Sequence, residues 1–120
     1  MVCLVVLAGC GSAAPPPLAV QSPVATTLSW FKALNSHDMT TAQAHFTAAS
    51  HDMMDWSDWA PPFTHLHCRL ASGSANTAVV HCSFAPITDA DAGMDNESFW
   101  NVYLQRQASG HWLINNYGQG

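Results

Sequence analysis

The chain has 120 residues, enough for one domain with one modest core. It is 48% hydrophobic and only 9% charged, with five Trp and five Phe, which excludes a disordered, solvated polymer. Its three basic residues, Lys32, Arg69 and Arg106, cannot build a patch that tracks phosphates, so nucleic acid is not expected as a partner. The formal charge is −5 with histidine neutral, and protonating all seven histidines would carry it to +2. The plainer reading is that histidine replaces other polar surface residues.

The chain opens with the apolar run Met1-Val-Cys-Leu-Val-Val-Leu-Ala-Gly-Cys10. The run falls short of the ~20 apolar residues of a spanning helix but suits the apolar region of a secretory signal. The ending Leu7-Ala8-Gly9-Cys10 is similar to the bacterial lipobox. That resemblance implies cleavage before Cys10, acylation of its thiol, and a domain held at the outer side of the cell membrane. No Lys or Arg precedes the run, so either the true start lies upstream of Met1 or the signal is atypical. The alternative is a buried Val-rich strand. Residues 10–22 follow as a tether: small residues and Pro15-Pro16-Pro17 cannot make a core and favour extended polyproline II. The expected organisation is a signal at 1–9, the lipidated cysteine and tether at 10–22, and one domain at 23–120.

Ser22-Pro23 predicts a helix start, with Ser as N-cap and Pro in the first turn. Val24, Leu28, Phe31 and Leu34 follow at helical spacing, flanked by Thr27 and Trp30, and the helix stops near Asn35. Asp38 can cap a short second helix whose Met39, Ala42 and Phe46 share a face. In 51–59 the acidic positions Asp52, Asp55 and Asp58 alternate with Met and Trp, compatible with a helical turn or two before Pro61-Pro62.

Two strand-like runs, 64–71 and 77–84, flank the polar turn Ser72-Gly-Ser-Ala-Asn76. A hairpin centred near Ala75 sets Cys68 opposite Cys82, close enough for a disulfide. Free thiols or metal ligands are the alternatives, although the spacing does not resemble a zinc ribbon. The register places Leu66, Cys68, Leu70, Val80, Cys82 and Phe84 on a core face. His65, His67, Arg69, His81 and Ser83 fall on the other face, as a solvated surface or a pocket wall. Residues 87–96 read as an acidic loop, residues 97–107 as a long strand with Trp100, Val102 and Leu104 inward, and residues 111–117 as the last strand. The fold class is α+β: N-terminal helices packed on a curved antiparallel sheet of about four strands.

The segment Trp30-Phe-Lys-Ala-Leu-Asn-Ser-His-Asp-Met39, followed by Ala42 to Phe46, resembles the opening of the nuclear-transport-factor-2-like superfamily. The ending Gly110-His-Trp-Leu-Ile-Asn-Asn-Tyr117 is similar to its last strand. The whole resembles small actinobacterial lipoproteins that carry such a domain. The resemblance implies a cone with an apolar cavity, found in isomerases, dehydratases and cyclases and also in noncatalytic members. It further implies that the middle segment, 47–62, compresses a helix and an edge strand. A cavity enzyme needs a general base and a donor for developing negative charge. Candidates are Asp38, Asp52, Asp55, Asp58, His65, His67, His81, Tyr103 and Tyr117, but no Asp is expected inside a strand, which weakens that reading. His65, His67 and His81 could approach one another as metal ligands, yet lack a clear carboxylate, so no metal or cofactor is expected. The sequence therefore favours a noncatalytic envelope domain that binds a small apolar ligand or a protein. A cavity enzyme and a homodimeric assembly module are the alternatives. His65, His67, Arg69, His81 and Tyr103 form the candidate pocket or polar sheet face.

Overall fold

A computed structural model describes residues 20–53, 62–89 and 94–119. The expectations at Cys3, Cys10, the tether up to residue 19, Asp55 and Asp58 lie outside the described residues. Among the described residues, no helix is long and apolar enough to cross a membrane.

Helix α1 spans Pro23–Asn35. Ser22 caps it by accepting the Ala25 amide at 3.1 Å, and Pro23 occupies the first turn, where a missing N–H costs nothing. Its buried stripe is Thr27, Trp30, Phe31 and Leu34, an i, i+3, i+4, i+7 set. The stripe is rotated from the expected one: Leu28 is 41% exposed, and Thr27 takes the core position. Thr27 tolerates burial because its hydroxyl donates to the Pro23 carbonyl at 2.8 Å. Helix α2 spans Met39–Ala44, and Asp38 caps it as expected, accepting from the Thr41 amide and hydroxyl. A 3-10 helix covers Ala48–Met53.

Four strands follow among the described residues: β1 (His67–Gly73), β2 (Thr77–Asp89), β3 (Met94–Arg106) and β4 (Trp112–Gly118). They form one antiparallel meander in chain order, with α1 and α2 sharing a core with one face. This is the predicted α+β arrangement. Each strand pair carries a register irregularity, and such bulges bend and twist a sheet. The sheet is therefore curved around the helices. An isolated parallel bridge between Phe46 and Ile114 adds the chain after α2 to the free side of β4, in place of a longer edge strand.

Several expectations need correction. Strand β1 begins at His67 rather than Thr64; the Thr64 carbonyl instead accepts from Ala85, and His65 has a positive φ of 55°. Leu70 was expected in the core but is 52% exposed, because the ladder slips just after it and β1 is the end strand among the described residues. The acidic loop is shorter than expected: β2 runs to Asp89 and β3 starts at Met94. Asp89 and Asp95 thus lie within strands, contrary to the expectation that none would.

The core is unusually aromatic. Trp30, Phe31, Phe46, Phe63, Phe84 and Trp100 are at most 5% exposed, and half-buried Tyr117 packs against them. Neighbouring ring centroids lie between 4.9 Å (Phe31–Phe63, Phe63–Phe84, Trp100–Tyr117) and 6.3 Å (Phe31–Phe84). Tilted and edge-to-face pairs at such spacings each contribute about 0.5–1.5 kcal/mol beyond burial.

Candidate functional site

The predicted polar sheet face forms in part. His67 pairs with Ser83, and Arg69 with His81, which in turn pairs with Asn101 on β3. The ring of His81 stacks on Phe99 at 5.4 Å, and its Nδ1 lies 2.9 Å from Asn101 Oδ1. An amide oxygen only accepts, so Nδ1 carries the proton and donates. Tyr103 continues this face between Val79 and Asn116. His65 does not join it, since it precedes β1 in a left-handed turn. The described residues contain no cluster of three or more His, Cys, Asp or Glu fit to hold a metal ion. The His65, His67 and His81 set is therefore not assembled: the strand starts three residues later than its alternation predicts.

Cys68 and Cys82 sit directly opposite with Cα atoms 4.1 Å apart and are joined by a disulfide. Cys82 is fully buried, while Cys68 packs at the margin of the core. The bridge fastens the end strand to its neighbour just below the slip after Leu70.

Of the other acid–base candidates, Asp38 is spent on capping: the Thr41 hydroxyl and then its amide hold its carboxyl below the ordinary carboxylate range. Asp52 lies in the 3-10 helix with a fully exposed side chain, 3.5 Å from the ring of its neighbour His51. Tyr117 lies against the core, and burial, with the Glu97 charge as a second cause, pushes its phenol up to about 12.

Two residues escaped sequence reasoning. Glu97 turns toward the aromatic core and accepts from Trp100 Nε1 at 2.5 Å. Its position at the start of an alternating strand gave no hint of this. His45 follows α2 with only 2% of its surface exposed. Its Nδ1 lies 2.7 Å from the Thr41 carbonyl, so that nitrogen is the proton donor. Its own carbonyl accepts from the Ile114 amide at 2.7 Å, which ties the end of α2 to β4. Burial pulls the imidazole below its usual pKa and keeps it neutral, outweighing the Thr41 hydrogen bond.

Pockets lined by described residues include the following two. One, of about 310 Å³, lies over α1 and α2 and is lined by Gln21, Ser29, Lys32, Ala33, Ser36, Asp38, Thr41 and His45. The other, of about 340 Å³, is a shallow hollow between Pro62, Thr64 and the irregular segment Ala85–Thr88. Neither is lined by the rings of the core.

No family model matches the sequence, and no curated protein matches it. Among solved structures, the chain is similar to a ketosteroid isomerase-like protein from Erwinia carotovora atroseptica SCRI1043. The identity is 15% and the TM-score 0.45, over 78% of this chain and 88% of that one. The chemistry is accordingly read from this chain's own residues.

Proposed function

We propose that the chain is a noncatalytic nuclear-transport-factor-2-like domain, held to the outer side of the cell membrane by lipid on Cys10. It acts by binding a partner rather than by turning over a substrate. The observation that carries this reading is the close packing of the described core rings. Where a cavity enzyme would hold its substrate, Trp30, Phe31, Phe63 and Trp100 lie ring against ring. Between the two partner classes, a small apolar ligand or a protein, that packing favours the protein. The sheet face turned away from the helices presents half-buried Val79, Phe99 and Tyr103 beside His81 and Asn101, an amphipathic mixture suited to contact. Export is supported by the Leu7–Cys10 motif, the Pro-rich tether and the Cys68–Cys82 bridge, since disulfides persist in oxidising compartments.

Two measurements test the reading. Cys10→Ala should release the protein from the membrane fraction; retention there would overturn the anchor. Native mass spectrometry of the detergent-extracted protein should show a complex that is lost in Tyr103→Asp. A bare monomer overturns the partner reading, and a mass of twice the chain makes the partner a second copy.

A second reading, a cavity enzyme, is favoured by one observation: Glu97 places a carboxylate against Trp100 and close enough to Tyr117 to raise its pKa. A base and a hydroxyl donor at the edge of an aromatic core are the parts that proton abstraction needs.

A further inference from the structure

Strand β1 keeps its place in the sheet by an uncommon means. Each of its residues is exposed except Cys68, which packs at the margin of the core. Leu70 and Ser72, on the positions that alternate with Cys68, bury little. The neighbouring strand β2, by contrast, sends Ala78, Val80, Cys82, Phe84 and Ile87 into the core. A strand is stabilised chiefly by the side chains it packs, and a ladder of backbone bonds without such packing is marginal in water. The β1 ladder is also interrupted, because its register slips between Leu70 and Ser72. The bridge to Cys82 is therefore the side-chain anchor of β1 in the core. The two halves of that bridge differ in access: Cys82 is fully buried, whereas Cys68 is partly exposed.

We infer that the Cys68–Cys82 bridge is a redox-sensitive clasp, which a dithiol opens at Cys68 to release β1 from an otherwise folded domain. One thiolate of the dithiol attacks Cys68 Sγ, forms a mixed disulfide there, and expels Cys82 as a thiolate that takes up a proton. The second thiol of the dithiol then displaces Cys68 Sγ, which is protonated in turn. The dithiol leaves as its own disulfide, and its two hydrogens end on the two cysteines. Attack falls on Cys68 because an incoming thiolate reaches a sulfur near solvent and not one enclosed by the core. Reduced Cys82 remains a small apolar residue beside Val80 and Phe84, so β2 stays in position while β1 loses its anchor. The clasp requires neither the partner nor the lipid anchor proposed above.

Hydrogen exchange read by mass spectrometry tests the clasp on the full chain, with and without dithiothreitol. In the oxidised protein the β1 amides bonded to β2 should be protected. Dithiothreitol should abolish that protection and leave residues 99–105 of β3 protected. Cys68→Ala/Cys82→Ala should show the reduced pattern with no reductant present. The point of attack is read with glutathione, a monothiol that stops at the mixed disulfide; after acid quenching, peptide masses should place it on Cys68. Protection of β1 that survives reduction would overturn the inference. Loss of protection in β1 and β3 together would do the same, as would a mixed disulfide on Cys82 or none on Cys68.

Discussion

The Glu97 carboxylate accepts a hydrogen bond from the indole of Trp100, three residues along the same strand. On a flat strand, residues three apart point to opposite faces. The contact exists because β3 twists against the irregular stretch of β2 between Ser83 and Ile87, where the ladder slips. That twist brings a carboxylate to the core side and close to Tyr117. Glu97→Gln should therefore lower the Tyr117 pKa from about 12, but not restore it to the ordinary 10, because burial is the larger cause. Ultraviolet titration in a Tyr103→Phe background isolates the single remaining phenol. The raised pKa also means that this group's contribution to stability is whole below pH 10 and declines as pH rises through 10 toward about 12. A flat denaturation midpoint across that alkaline window would contradict the assignment.

Asn35 closes α1 against the chain that leads into β1. Its amide donates to the Phe63 carbonyl at 2.9 Å and its carbonyl accepts the Phe63 amide at 2.8 Å, imitating one rung of a sheet. Asn35→Ala removes both bonds and should cost about 1–3 kcal/mol in urea unfolding. Asn35→Asp keeps only the acceptor and should fall between the two. An Ala variant as stable as the parent would show that water replaces the rung at no cost.

The neutral, buried His45 gives stability a dependence on acidity. Its folded pKa lies below the unfolded 6.5, so the unfolded chain binds the proton first. The contribution is complete above pH 6.5 and is lost as pH falls through the folded value. Urea midpoints between pH 8 and 5 should drop less in His45→Gln than in the parent. Equal slopes would place the acid sensitivity elsewhere.

Reducing the Cys68–Cys82 bridge should add two hydrogens to the intact mass. It should also lower stability by about 3 kcal/mol, the chain-entropy value for a loop of about 15 residues. Cys68→Ala/Cys82→Ala should match the reduced protein. An unchanged mass on reduction would mean free thiols.

Much of the fold was legible because local chemistry dictates it. Ser22-Pro23 and Asp38 marked both helix starts, and the turn at Ser72–Asn76 set the Cys68–Cys82 register. What stayed hidden depends on contacts distant in sequence. Pro86 argues against a continuing strand, yet β2 passes it by leaving the ladder between Ser83 and Ile87. Leu70 looked like core by alternation, but no such pattern says that a strand is the last in its sheet. The pocket over the helices was opaque for the same reason: its lining from Gln21 to His45 comes together only once α2 folds back on α1. Glu97 could have been suspected only by knowing where β3 twists.

The bridge at Ile114 has a consequence for how the molecule behaves in a crowd. The Ile114 amide is taken by the His45 carbonyl, and its carbonyl by the Thr47 amide, so the β4 side of the sheet offers a newcomer little to pair with. The opposite side, β1, is the end of the ladder among the described residues, with exposed Leu70 and the single charge of Arg69 as its guard. Beyond the turn at 74–76, the disulfide is what ties that strand covalently to its neighbour. A chain kept reduced would have a loosened, apolar margin on which like strands could stack, and self-association would begin at β1.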